Sequence, residues 1–254
     1  GSKTLKYSGY GTQRAEREIK ALFPELRVLR MDADTVGGKN SRDEILSAFA
    51  RREYDVLLGT QMITKGLDFP NVTLVGVLSA DSLLYSSDFR AYEKTFSLLT
   101  QVVGRAGRAE KQGRAVIQTY TPEHEAVSLV KSHNYRTFYD KEIAKRKLMW
   151  YPPFCKIVSV HFQGNVENIV AKTAKYFLNT AEKTQNISQK IQVLGPVPSY
   201  ISKIKNKYRW QIIFKCEDDD NLGEILSQAE MTCRKNKEFS DVAIIIDKSP
   251  GMIN

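Results

Sequence analysis

Asp55-Val-Leu-Leu-Gly-Thr60 and Val72-Thr-Leu-Val-Gly-Val-Leu78 are two apolar, β-branched runs of the kind buried in parallel sheets. The residues on either side of them alternate helical and strand patterns at short spacing. Upstream, Gln13 to Phe23 carries Ala15, Ile19, Leu22 and Phe23 on one helical face and stops at Pro24. Arg27-Val-Leu-Arg-Met31 reads as a strand. Ser41 is expected to cap a second helix, with Glu44 completing a capping box and Ile45, Leu46 and Phe49 as its apolar stripe. Downstream, a helix is expected from about Phe89 to Arg108, then a strand from Arg114 to Tyr120. Strands alternating with helices at this pitch predict a parallel α/β sheet.

A single helical segment, about Glu123 to Met149, is expected next, ending in Trp150-Tyr151-Pro152-Pro153. Two consecutive prolines cannot continue a helix, so the domain boundary is placed there, giving domains 1–150 and 151–254. Beyond it the pattern is strand (Lys156–Phe162), helix (Val166–Lys183), strand (Ile191–Leu194), strand (Tyr208–Cys216), helix (Leu222–Lys235) and strand (Val242–Asp247). That β-α-β-β-α-β order predicts a smaller α+β domain of ferredoxin-like form.

The chain has 254 residues, 42% of them hydrophobic and 26% charged, which excludes a disordered or low-complexity protein. The longest apolar stretch, around Val72 to Leu78, is far shorter than the roughly 20 residues that span a bilayer, so no membrane association is expected. Gly1-Ser2-Lys3 is polar with no apolar run after it, and a cytoplasmic location is expected. Cys155, Cys216 and Cys233 are widely spaced, no Cys-x-x-Cys pair exists, and the three histidines do not cluster, so no metal site is expected. A net charge of +9, shared by both domains, is compatible with a phosphate-rich partner.

Gln101-Val-Val-Gly-Arg-Ala-Gly-Arg108 carries the chemistry. On a helix, Gln101, Arg105 and Arg108 stand at i, i+4 and i+7 and present an amide and two guanidiniums on one face. Each glycine there costs about 1 kcal/mol against alanine, which points to another backbone or a ligand approaching closely. The planar guanidinium suits multidentate contact with phosphate oxygens. A surface helix whose arginines meet solvent or carboxylates is the plain alternative.

The octet resembles the last motif of superfamily 2 helicases, from their second RecA-like lobe. Gly59-Thr-Gln-Met-Ile-Thr-Lys-Gly-Leu-Asp-Phe-Pro70 stands where that superfamily's preceding motif belongs, after a buried strand. The resemblance implies a lobe that closes over ATP, with Gly66 and Asp68 near the nucleotide. It also implies that Thr60, Gln61 and Lys65 face the DNA strand. Arg105 and Arg108, beside Gln101, would neutralise charge on the γ-phosphate. Gly9-Tyr-Gly-Thr-Gln13, Arg30-Met-Asp-Ala-Asp-Thr35, Asp88-Phe-Arg-Ala-Tyr-Glu93, Gly195-Pro-Val-Pro198 and Tyr208-Arg-Trp-Gln211 narrow the resemblance to the family of primosomal replication-restart helicases.

A phosphate loop is missing: Gly37-Gly38-Lys39 is followed by Asn40, with Ala33 where a first glycine is needed. No Asp-Glu-x-His box and no zinc cysteines of this family appear either. The chain therefore looks like the C-terminal piece of such a helicase: lobe two and a C-terminal domain, unable to hydrolyse ATP alone. The resemblance implies ATP and magnesium, with half the site present, and zinc in the parent outside these residues. It implies forked and single-stranded DNA, single-stranded DNA-binding protein, and primosome and helicase-loading proteins as partners. Lys203, Lys205, Lys207 and Arg209 interleave with Tyr200, Tyr208 and Trp210, a pattern for single-strand stacking or capture of an acidic peptide, or else a plain edge strand. One rival stays open, a non-catalytic DNA- or partner-binding module with a RecA-like lobe; a second, an RNA or recombination helicase, is opposed by Gly195-Pro-Val-Pro198 and Tyr208-Arg-Trp-Gln211.

Overall fold

The structure, a computed structural model, describes residues 11–32, 35, 39–60, 63, 69–104, 113–184, 191–217, 220–248 and 250. The chain divides into two compact units, Gly1–Tyr85 with Glu93–Tyr135, and Ser86–Tyr92 with Arg136–Asn254. The Pro152-Pro153 pair thus lies inside the second unit.

In the first unit α1 (Thr12–Leu22) and α2 (Lys39–Ala50) flank a parallel pair, β1 (Val28–Met31) and β2 (Val56–Gly59). A second parallel pair joins β3 (Leu74–Val77) to β4 (Arg114–Ile117). Among the described residues these are two two-stranded sheets. Between β3 and β4 run α3 (Asp81–Leu84) and α4 (Ala91–Val103), with α5 (Glu125–Lys131) after them. The β1–β2 pair is pinned at its start by a fork: Arg27 Nε and Nη2 donate to the two Asp55 oxygens at 2.9 Å each, and the Arg27 backbone N–H donates to Asp55 Oδ2. Those bonds hold the Asp55 carboxyl down at about 2.

Two sequence expectations are corrected here, and a third is described only in part. α2 begins at Lys39, so Ser41 lies inside the helix and does not cap it. The segment 123–149 is two helices, α5 and α6 (Tyr135–Leu148), because His133 sits at φ 51° and a left-handed residue breaks the hydrogen-bond ladder. α4 is described as helix from Ala91 to Val103, and the Gly104 N–H still donates to the Thr100 carbonyl; the rest of the expected helix, to Arg108, lies outside the described residues.

The second unit is an antiparallel sheet in the order β6-β7-β5-β8, from β5 (Lys156–Gly164), β6 (Ile191–Ile204), β7 (Lys207–Cys216) and β8 (Ala243–Asp247). With α7 (Glu167–Thr184) and α8 (Asp220–Lys235) it realises the ferredoxin-like order. Val170, Ala174, Phe177 and Ala181, one stripe of α7, and Leu222, Leu226, Ala229 and Cys233 of α8 meet Val158, Val160, Phe162, Ile212 and Phe214 of the sheet. Phe162 and Phe177 pack edge to face, ring centroids 5.4 Å apart. The opposite face is covered at one end by Phe89, Trp150 and Tyr151 over Ile157 and Ile213. There Phe89 stacks on Tyr151, Arg146 lies over Phe89, and the buried Lys215 ammonium sits 3.8 Å from the Tyr151 ring centre while donating to the Met149 carbonyl.

β6 runs well past Leu194, where the sequence pattern ended it. Pairing to β7 resumes beyond Gly195-Pro196 after a register shift, and Gly195 holds the kink at φ 102°. A Cβ there would stand 2.7 Å from the Gln211 carbonyl oxygen, so only glycine fits. Pro196 is tolerated because β6 is an outer strand of the sheet.

All three cysteines are buried free thiols. Burial pushes the Cys233 thiol up to about 11. Buried thiols that stay protonated are poor nucleophiles. A disulfide thiol reagent at pH 8 should therefore modify none of them in the folded chain and all three after unfolding. A thiol that reacts fast in the native protein would contradict this packing.

Candidate functional site

In a parallel pair joined by a helix, both strands end on one edge, where side chains meet ligands. The last pair in the β1–β2 register is Met31 with Gly59, followed by Asp32 and Thr60. Asp32 is buried and is the centre of that edge. Thr12 Oγ1, at the start of α1, donates to Asp32 Oδ2; the Thr35 N–H donates to Asp32 Oδ1 at 3.1 Å; Arg30 Nε lies 3.4 Å away. The Thr12 bond first, then the Thr35 amide and the Arg30 charge, hold this carboxyl below the usual carboxylate range against the opposing effect of burial. Parts of two stretches quoted for the family resemblance, 9–13 and 30–35, thus converge on one carboxylate. Sequence reasoning gave Asp32 no role, and an Asp-x-x-Thr turn just after a strand was the available signal.

Gly59 is fixed by space. A Cβ would stand 2.4 Å from the Met31 carbonyl oxygen and 2.9 Å from Ile63 Cγ2. Thr60, expected to face DNA, is exposed immediately beyond it, and its carbonyl accepts from the Ile63 N–H. Gln61, Lys65, Gly66 and Asp68 lie outside the described residues.

α4 buries Phe96, Leu99 and Val102 and leaves Gln101 exposed near its last turn. The amphipathic spacing accounts for this: an apolar stripe at i, i+3, i+6 turns Gln101 outward. Arg105 and Arg108 lie outside the described residues.

The β6–β7 hairpin carries the remaining expected contacts. Lys205 and Asn206 form its two-residue turn, both left-handed at φ 47° and 61°, as a type I′ hairpin turn requires. Lys203, Lys205 and Lys207 are exposed and Arg209 is half-buried. Residues 191–216 contain no Asp or Glu at all. Tyr208 and Trp210 are half-buried and do not stand free beside the cations. Period-2 alternation turns them, with Ile212 and Phe214, toward the helix-covered core. Lys203 Nζ lies over the Tyr208 ring at 4.5 Å and donates to its hydroxyl. Arg209 pairs in register with Gln163, two residues from His161. Burial and then the Arg209 charge push the His161 imidazole below its usual value, opposed by Asp247.

Among the described residues no group of His, Cys, Asp and Glu is placed to hold a metal ion, and no helix is long and apolar enough to cross a membrane.

Two family models match the chain in order: the helicase conserved C-terminal domain over residues 1–110 and the primosomal protein N C-terminal domain over residues 147–250. The replication restart protein PriA of Bacillus subtilis is 44% identical over 99% of this chain and 31% of its own length. The PriA proteins of Chlamydia muridarum and Haemophilus influenzae are each 36% identical over 98% of the chain, which covers 32% and 34% of them. The chain thus spans about a third of the length of these curated relatives. Among solved structures, the C-terminal domain of the DEAD-box protein Dbp5 aligns with 53% of this chain and 76% of that one at 18% identity and a TM-score of 0.35, too low to carry an argument.

Asp32 gives the first unit an acid limit. Because its folded pKa is depressed, its stabilisation is present above the unfolded value of about 4 and is lost as pH falls through the lower folded value. Thr12→Val removes the largest cause, so acid unfolding of this unit, followed by circular dichroism, should begin at higher pH. An unchanged acid midpoint would remove Thr12 from the network. Gly59→Ala should destabilise the same unit by about 1–3 kcal/mol in urea titration.

Proposed function

From its membership of the PriA family of replication restart proteins, to which this chain belongs over both of its units, we propose that it is part of an ATP-dependent 3′→5′ DNA helicase. That helicase acts at stalled or branched forks in the cytoplasm and reloads the replication machinery. The observation that carries this reading is the order of its parts: a helicase C-terminal match on a unit of parallel β-α-β pairs, then a primosomal match on a ferredoxin-like unit.

The division of labour follows from residue chemistry. The first unit supplies half of a nucleotide site. Arg105 and Arg108 set their planar guanidiniums against the γ-phosphate, where negative charge shifts during transfer, and Gln101 stands on the same motif. Gly66 and Asp68 line the nucleotide side of the loop after β2, whose entry is fixed by the Met31–Gly59 approach. Thr60, Gln61 and Lys65 hold the DNA strand, so that a change at the nucleotide moves the strand contacts with it. Magnesium would supply neutralisation of phosphate charge, and the carboxylates that would hold it, like the zinc cysteines of the parent, are not among these residues. In the second unit Lys205, Lys207 and Arg209 hold the fork. Single-stranded DNA-binding protein and primosome and helicase-loading proteins are the protein partners.

This chain alone should hydrolyse no ATP, with or without excess single-stranded DNA, because the phosphate loop and magnesium carboxylates supply most of the orientation. Turnover that tracks with the chain through purification would contradict the half-site. In the full-length parent, Arg108→Ala should lower ATP turnover by roughly 10³–10⁵ while leaving DNA affinity near wild type. Lysine should rescue little, since a point charge cannot replace a planar fork. A melting loss with normal turnover per folded molecule would make Arg108 a packing residue instead.

A further inference from the structure

We infer that Tyr200, on a bulge in the outer strand of the β6–β7 hairpin, is a stacking residue for an unpaired nucleobase, so that this hairpin selects single-stranded and branched DNA over closed duplex. The inference rests on the DNA-binding reading above and adds which DNA element the hairpin recognises.

The bulge is built into the register. Pro198 pairs with Trp210, and pairing resumes only at Lys203 with Tyr208, so residues 199–202 oppose Arg209 alone. A bulge of this kind re-aims side chains. Ser199 turns inward and is buried, whereas Tyr200 is 77% exposed and Ile201 53%. An aromatic ring left that open on a strand is unusual in a chain whose other hairpin aromatics are packed away. Tyr208 and Trp210 face the core, and Tyr208 is covered further by the Lys203 ammonium. The stacking expected from three aromatics therefore falls to one.

Charge supports the same occupant. Lys203, Lys205 and Lys207 surround the tip, and no carboxylate in residues 191–216 offsets them. A polyanion is the complementary partner. An extended acidic peptide adding to the sheet would need an uninterrupted row of edge N–H and C=O groups. Pro196 and Pro198 lack the N–H, and the bulge breaks the row again at 199–202. What remains is recognition by side chains: cations for phosphates and an aromatic face for a base, which every nucleobase satisfies.

The test uses the whole chain and fluorescent oligonucleotides: a single strand, a fork and a blunt duplex of matched length. Tyr200→Ala should weaken single-strand and fork binding about tenfold, leave blunt-duplex binding unchanged, and leave the salt slope intact because no phosphate contact is lost. Tyr200→Phe should keep wild-type affinity. A 2-aminopurine strand should be quenched by wild type and not by Tyr200→Ala. Lys205→Gln with Lys207→Gln should instead weaken all three DNAs and flatten the salt slope. Melting should be unchanged for Tyr200→Ala, since the ring is exposed. If Tyr200→Ala binds and quenches like wild type, the stacking role is overturned while the DNA reading stands. If wild type binds none of the DNAs, the DNA reading of this hairpin falls with it. Loss of affinity for an acidic peptide alone would mark a peptide site and overturn the inference.

Discussion

Two parallel strands joined by a crossover helix must end on the same edge, and their last backbone groups there have no further ladder partner. In the first unit that edge is drawn tight by one contact, the approach of Gly59 to the Met31 carbonyl, which leaves no room for a side chain. Asp32 and Thr60 follow on neighbouring strands. The start of α1 then closes on the edge from the other side, through the Thr12 hydroxyl on the Asp32 carboxylate. The loop that enters the proposed nucleotide cleft therefore leaves from a fixed point, which is what a part that transmits a nucleotide signal needs.

The second unit has no such edge. Its strands are antiparallel, so chain ends alternate and no single rim collects them. One sheet face is filled by α7 and α8, and one end of the other by the stack of Arg146, Phe89, Tyr151 and Lys215. Lys215 keeps its charge buried there at the cost of a pKa lowered chiefly by burial. The β6–β7 hairpin, proposed above as the DNA contact, runs for 26 residues without a carboxylate. The segment Asp88–Glu93, noted in the sequence for its likeness to the family, supplies Phe89 to the stack, a packing role.

Most of this fold was legible because its strands are short, β-branched and bounded by turn residues. The β-α-β-β-α-β order needed only the positions of those runs. What escaped reading depended on partners that a single strand does not show. β6 looked finished at Leu194 because Gly195-Pro-Val-Pro198 reads as a turn; the neighbouring β7 carries it on through a bulge. The 123–149 helix looked continuous because nothing in Ser132-His-Asn134 forbids a helix as glycine or proline does, yet His133 is left-handed. At the hairpin, the alternation of cations and aromatics was visible, but which set faces the core is decided by the register with β5 and by helices elsewhere in the chain. Thr12 does start a helix, α1, and its hydroxyl also donates to Asp32, a partner that the helix pattern alone does not show. Of the expected nucleotide contacts, Gln101 is exposed, and the others fall outside the described residues.

The central claim, that these two units form part of a fork-directed motor, is tested most directly on the full-length parent. The measurement is unwinding of a forked duplex against a blunt one, with ATP and with a non-hydrolysable analogue. The account predicts separation of the forked duplex that requires ATP hydrolysis and proceeds 3′→5′ along the strand it holds. Tight fork binding with no ATP-dependent strand separation would contradict it and leave a DNA-binding module that only retains the shape of a helicase lobe.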